Sequence, residues 1–329
     1  MKKIKTGIIG GAGYTGGELI RLLINHPHAE IAFVNSRSNA GKYLYAVHKD
    51  LVGETDLHFT GDVSNNIDVL FLCVGHGEAK KFLAEHDIDE KIRIIDLSQD
   101  FRLHQDPDNR HRRFIYGLPE INREQIRSAH NIANPGCFAT AIQLGLLPLA
   151  KAALLTETYT TGITGSTGAG QALSETSHFS WRENNIQAYK TLHHQHLSEI
   201  GQSLNQAAAG NRSTLPPVNF VPWRGDFTRG IFASSTLTCE QPLKELVELY
   251  KAFYAGHPFT KVCEEPIFLK MVVNTNKCVI QLEKSGSKLV VHSAIDNLLK
   301  GASGQALQNM NLMFGIEETT GLKLKANAF

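Results

Sequence analysis

The chain has 329 residues, 42% hydrophobic and 20% charged, which suits a globular protein with room for two domains. Thirty-three Lys and Arg against 32 Asp and Glu leave a net charge of +1, without the basic excess of a nucleic-acid binder. No uninterrupted apolar run approaches the ~18 residues of a membrane span. Five cysteines, an odd number with no CxxC spacing, argue against a disulfide framework or a Cys-rich zinc site.

Residues 4–9 read as a short buried strand, Gly10 to Gly17 as a glycine turn, and 18–24 as a helix ended by Asn25-His26-Pro27. The positive start, Met-Lys-Lys, meets only Ile8-Ile9 before the glycines. That is a strand and a turn rather than a signal peptide, and it predicts a cytoplasmic protein. Strands follow at 29–35, 69–74 and 92–97, with a helix at 78–85 between the last two. This alternation predicts a doubly wound parallel sheet. From about Ala139 the texture changes. A helix over 140–153 precedes strand candidates at 158–164, 231–238, 267–273, 277–283 and 288–292, with a polar loop at 210–217. The last helix, 295–313, is interrupted at Gly301 and Gly304. The expectation is a nucleotide-binding domain followed by a mixed α+β domain.

Gly10-Gly11-Ala12-Gly13-Tyr14-Thr15-Gly16 fits G-x-x-G-x-x-G between a strand and a helix, where backbone N–H groups can approach a pyrophosphate. An NAD site usually ends its second strand with Asp or Glu on the ribose hydroxyl. Here that strand runs into Ser36-Arg37-Ser38, with no carboxylate to repel a 2′-phosphate and a guanidinium to bind one. NADP is therefore the expected cofactor.

Cys137, in Asn134-Pro135-Gly136-Cys137, leads into an apolar helix whose N-terminus favours a thiolate. Beside a nicotinamide, such a sulfur can attack an acyl carbon and hold it as a thioester for hydride transfer. Cys73, within Phe-Leu-Cys-Val, reads as a buried structural thiol. A cluster at His193-His194-Gln195-His196 with Glu199 suits an acid/base partner, a zinc site or a solvated turn before a helix. Nothing elsewhere has the spacing to complete a metal site.

Together these segments resemble the N-acetyl-gamma-glutamyl-phosphate reductase family, which is related to aspartate-semialdehyde dehydrogenase. The resemblance runs through GGAGYTGGELIRLL and HP at 10–27, DLSQDFR at 96–102, YGLPE at 116–120 and NPGCFAT at 134–140. It continues in GSTGAGQ at 165–171, HQHLSEI at 194–200, RGI at 229–231 and KGASGQALQNMNLMFG at 300–315. It implies a Rossmann-type NADP-binding domain over 1–136 with 300–329, and a catalytic and oligomerisation domain over 137–299. The implied reaction is NADPH-dependent reduction of an N-acylglutamyl phosphate to its semialdehyde with release of phosphate. The implied assembly is a homodimer or homotetramer.

Carried over by resemblance, Cys137 is the nucleophile, one of His194 and His196 the acid/base group, and Glu199 their orienting carboxylate. Gly10, Ala12, Gly13, Tyr14 and Thr15 form the pyrophosphate turn, with Ser36, Arg37 and Ser38 at the 2′-phosphate. Ser166, Gly168 and Asn309 line the nicotinamide end, and Arg102 and Asn134 contact the substrate. No metal is implied. The chain departs from the family pattern at Phe138-Ala139, at Thr167 to Gln171, and at Trp223-Arg224, where a proline-histidine pattern is common. These positions border the acyl pocket, so the acyl group is expected to be acetyl or succinyl, with Arg224 or Arg182 a carboxylate partner. Aspartate-semialdehyde dehydrogenase is the rival reading, disfavoured by the Gly-Tyr-Thr-Gly turn and by Pro-Gly directly before the thiol. A non-catalytic NADP sensor would have lost the thiol or the histidines.

Overall fold

The computed structural model describes residues 3–103, 112–209 and 215–327, in two compact units. The first runs up to Pro135 and takes in Ala302–Lys323; the second comprises Gly136–Gly301 and the chain from Leu324 on. The sequence expectation places 300–329 with the first domain. Among the described residues Lys325 bonds within the second unit, where its carbonyl accepts Asn274 Nδ2 at 3.3 Å.

In the first unit β1 (Ile4–Ile9), α1 (Tyr14–Ile24), β2 (Ala29–Asn35), β3 (Phe59–Thr60), β4 (Val69–Leu72), α2 (Glu78–Glu85), β5 (Arg93–Asp96), β6 (Phe114–Tyr116), α3 (Pro119–Ser128) and β7 (Asn131–Ala133) follow one another. Every strand pair is parallel, in the order β3-β2-β1-β4-β5-β7-β6. The order reverses beside β1, so the carboxyl ends of β1 and β4 are where such a sheet takes a ligand. Val69–Leu72 is buried at every position, which explains a continuous apolar run instead of alternation. Helix α1 begins at Tyr14, four residues before the expected start, and absorbs Gly16 and Gly17.

The second unit has α4 (Cys137–Lys151), β8 (Thr158–Thr164), α5 (Phe179–Arg182), β9 (Gln187–Ala188), α6 (His196–Ala208), β10 (Val218–Arg224), β11 (Ile231–Thr238), α7 (Leu243–Tyr254), β12 (Thr260–Cys263), β13 (Cys278–Ser285) and β14 (Lys288–Ile295). Its sheet is mixed, in the order β12-β13-β14-β11-β8-β10-β9. Helix α4 is buried from Phe138 to Ala150. Pro148, inside it, lacks the N–H that Leu144 O would accept, and the Tyr254 hydroxyl donates there instead. The expected strand at 267–273 is a short 3-10 turn at Leu269–Met271, because β12 holds the place beside β13. Of the expected loop at 210–217, residues 210–214 lie outside the described ones. The final helix is a π-helical stretch, Leu299–Ser303, followed by α8 (Gly304–Met313), which belongs with the first unit apart from the first residues of that stretch. Among the described residues no helix is long and apolar enough to cross a membrane.

Candidate active site

The first unit carries the glycine turn. Gly10 sits at φ +77, and a Cβ there would lie 2.3 Å from Cys73 O, so only glycine fits. Helix α1 has Gly13 as its N-cap and no side-chain cap, which leaves its first N–H groups to a ligand. After β2, Ser36 precedes a 3-10 turn at Arg37–Asn39. Asn39 Nδ2 donates to Ser36 Oγ at 3.1 Å and to Ser38 Oγ at 3.3 Å, and Lys42 Nζ donates to Asn39 Oδ1 at 3.2 Å. Arg37 and Ser38 are exposed and no ion pair engages Arg37 among the described residues. A bare turn, an uncapped helix start and a hydroxyl-guanidinium corner fit a phosphorylated dinucleotide.

Three expected contacts are interior to this unit. Arg102 Nε donates to Asn134 O at 2.9 Å and Nη2 to Leu97 O at 3.1 Å. Asn134 Nδ2 donates to Ala302 O at 3.0 Å, and its Oδ1 accepts from Asn309 Nδ2 at 3.1 Å. Asn309 is fully buried and also donates to Gly117 O at 2.9 Å. Packing thus holds all three side chains in place. Asn309 and the segment Ser166 to Gly168, expected together at the nicotinamide end, fall in different units.

The second unit carries the thiol. Cys137 is half-buried and is the first residue of α4, earlier than the expected start at Thr140. Gly136 at the N-cap offers no side chain to the first free N–H groups. Its own N–H donates to Glu199 Oε2 at 3.1 Å, while Glu199 Oε1 lies 3.8 Å from His196 Nε2. His196 opens α6 and Glu199 follows three residues on, so both sit on one helix face. One buried carboxylate therefore holds the turn before the sulfur and lies beside an imidazole. Cys73 contrasts with this: burial, with Asp96 adding to it, pushes its thiol up to about 12.

His194 is buried, and Phe138, Tyr189, His196 and Phe220 pack against it edge-on, with ring centroids 4.5 to 6.0 Å away. That burial, helped by the Lys190 charge, lowers its pKa to about 4. Its Nδ1 accepts the His196 backbone N–H at 3.2 Å, so the neutral ring carries its proton on Nε2. The loop before it holds Lys190 and Leu192 at φ 45 and 63, conformations costly for residues with side chains. Lys190 Nζ closes that loop on Gln195 Oε1 at 2.9 Å.

Sequence reading missed two features here. Burial and the neighbouring Cys137 charge push the Tyr189 hydroxyl up to about 12, against the opposing pull of Arg224, whose guanidinium stands 5.0 Å over the ring. Behind the thiol, buried Asp296 accepts Arg229 Nε at 3.0 Å and Nη2 at 3.1 Å, together with the backbone N–H groups of Asn274, Leu298 and Leu299. Its carbonyl accepts Gly301 N–H at 2.9 Å, and a Cβ on Gly301 would lie 2.8 Å from Cys137 Cβ. The RGI and KGASG motifs carried that signal, but not its geometry. Among the described residues no group of three or more His, Cys, Asp and Glu is placed to hold a metal ion.

The family described as "Semialdehyde dehydrogenase, NAD binding domain" matches residues 5–129, and "Semialdehyde dehydrogenase, dimerisation domain" matches 137–297. Named N-acetyl-gamma-glutamyl-phosphate reductase, a protein of Phocaeicola vulgatus is 57% identical over 328 residues, 99% of this chain and 100% of its own length. One of Christiangramia forsetii with the same name is 53% identical over 327 residues, with the same coverage. The chain belongs to the N-acetyl-gamma-glutamyl-phosphate reductase family. Like other members of the N-acetyl-gamma-glutamyl-phosphate reductase family it is an oxidoreductase. The crystal structure of aspartate semialdehyde dehydrogenase II from Vibrio cholerae superposes with a TM-score of 0.72 over 95% of this chain and 99% of that one. At 16% identity this speaks for the fold alone.

Proposed function

We propose that the chain reduces N-acetyl-gamma-glutamyl phosphate to N-acetylglutamate 5-semialdehyde and phosphate with NADPH, a step of arginine biosynthesis, in the cytoplasm and as a homodimer or homotetramer. The supporting observation is the Cys137 site: a half-buried thiol at the start of α4, with Glu199 bonded to the preceding N–H and set beside His196. The sulfur attacks the acyl phosphate carbon, the C–O bond to phosphate breaks, and a thioester on Cys137 results. NADPH, when bound through Gly10 to Thr15 and Ser36 to Ser38, supplies a hydride for the thioester carbon. Collapse of the resulting thiohemiacetal releases the semialdehyde and restores the thiolate.

We assign the two histidines different tasks. His196, paired with the Glu199 carboxylate, moves protons at the sulfur and the acyl oxygen. His194, neutral with its proton on Nε2, donates a hydrogen bond to the developing oxyanion. Arg102 takes the substrate phosphate, held in place through Asn134. The first unit is the dinucleotide-binding domain, and the second the catalytic and oligomerisation domain.

Cys137→Ser should abolish phosphate-dependent NADP reduction with the semialdehyde and leave NADPH binding nearly unchanged. Substantial residual turnover would overturn covalent catalysis.

A second reading concerns the acyl group. Arg182 is buried, and among the described residues its Nε and Nη1 have no hydrogen-bond partner; the buried Arg224 Nε has none there either. Neither forms an ion pair among the described residues. Buried guanidinium donors without a carboxylate favour an anionic ligand, and an N-succinyl group would bring one. If so, Arg224→Met should lower kcat/KM about 10- to 100-fold for the N-succinyl acyl phosphate and hardly at all for the N-acetyl one. A wild-type enzyme strongly preferring acetyl would sink this reading.

A further inference from the structure

His48 lies 31 residues beyond Gly17, in a segment that neither the glycine pattern nor the thiol chemistry accounts for. It sits between two 3-10 turns, Leu44–Ala46 and Lys49–Leu51, anchored by buried Leu44 and Leu51. The ring is buried, and its Nε2 lies 2.7 Å from Gly11 O. A carbonyl only accepts, so Nε2 carries the proton. The ring reaches that carbonyl because α1 has no side chain in its path: a Cβ on Gly17 would lie 2.4 Å from His48 Cε1. Phe59 flanks the ring at 6.2 Å, and the Arg21 and Asp50 charges lie nearby.

Gly11 is thereby held on both sides, since its own N–H donates to Asn35 O at 3.0 Å. The peptide linking Gly11 to Ala12 is planar and trans, so its C=O and N–H point in opposite directions. Drawing Gly11 O onto His48 therefore turns Ala12 N–H the other way, out of the turn. We propose that His48 is a positioning residue for the cofactor: it fixes the Gly11–Ala12 peptide so that Ala12 N–H faces the pyrophosphate. This rests on the reading of the glycine turn as a dinucleotide site.

The test compares wild type with His48→Phe, which keeps a ring but no donor, and His48→Gln, which can donate over a shorter reach. NADPH binding is titrated by its fluorescence, alongside steady-state kinetics, thermal unfolding and the rate of Cys137 alkylation by iodoacetamide. His48→Phe should raise the NADPH dissociation constant and KM about tenfold. At saturating NADPH its kcat should stay within about twofold and alkylation should be unchanged, while His48→Gln recovers part of the affinity. If both variants fold and bind NADPH as wild type does, or lose only thermal stability, the proposal fails. Should His48→Phe fail to fold, His48→Gln decides alone: affinity equal to wild type with an unbonded carbonyl refutes the role. A wild-type protein that did not bind NADPH would instead overturn the reading of the turn itself.

Discussion

The two units build their sites from opposite materials. In the first, the site is backbone: Gly10 at φ +77, an uncapped helix start at Gly13, and a peptide plane pinned by His48. In the second, it is side chains: Cys137, His194, His196 and Glu199, brought together from positions up to 62 residues apart by packing of α4 against α6. A backbone site tolerates almost no added atoms but cares little which neighbours surround it. A side-chain site depends on each neighbour and on the water that burial excludes.

Glycine substitutions separate the two most sharply, because each site has a glycine with no room for a side chain. Gly10→Ala would place a Cβ 2.3 Å from Cys73 O at a φ that disfavours any side chain. It should weaken NADPH binding at least ~100-fold and cost about 2–4 kcal/mol of stability, with the alkylation rate of Cys137 unaltered in the folded fraction. Gly301→Ala would press 2.8 Å from Cys137 Cβ. Displacing the sulfur by a fraction of an ångström should lower kcat about 100-fold, with NADPH affinity intact. Fluorescence titration and iodoacetamide kinetics on both variants check this. If Gly301→Ala lost NADPH affinity, or Gly10→Ala lost thiol reactivity alone, the division between backbone site and side-chain site would break down.

The same division decided what sequence could reveal. The glycine turn is local: its strand, its glycines and Ser36 to Ser38 fall within 35 residues, so strand and turn were readable from spacing. Helix α1 still began earlier than expected, because glycines at 16 and 17 disguise helical residues that tertiary packing enforces. In the second unit Cys137 was visible as a helix-start thiol. Tyr189, Asp296 and Gly301 were not, since nothing in their spacing records that the chain folds them beside it. Strand β10 was hidden by Pro216, Pro217 and Pro222, which suit a loop. Pro222 is tolerated beside the two-residue β9, where its carbonyl accepts Tyr189 N–H at 3.1 Å. Helix α6 was expected after the histidine cluster, but the cluster's spacing did not say that His196 itself opens it. The strand expected at 267–273 had the right residues, but a run of apolar side chains cannot state which strand neighbours it will find.

A subtler probe is acidity, because both units bury histidines whose pKa is lowered. For His194 the folded value of about 4 lies below the ordinary 6.5. Between those two pH values the unfolded chain binds a proton that the folded chain refuses. The stability this histidine contributes is therefore complete above pH 6.5 and falls as the pH drops towards 4. The whole effect is at most about 3 kcal/mol, and roughly 2 kcal/mol of it falls between pH 7 and 5. Urea unfolding at those two pH values should show His194→Gln losing that much less than wild type on acidification. The variant should not become indifferent to acid, because burial also lowers His26 and His48 in the first unit. Their part of the acid limb should persist in His194→Gln and shrink in His48→Phe. Were His194→Gln to lose as much stability as wild type, His194 would carry a proton in the folded chain at pH 5. The neutral Nε2–H donor assigned to it would then be wrong.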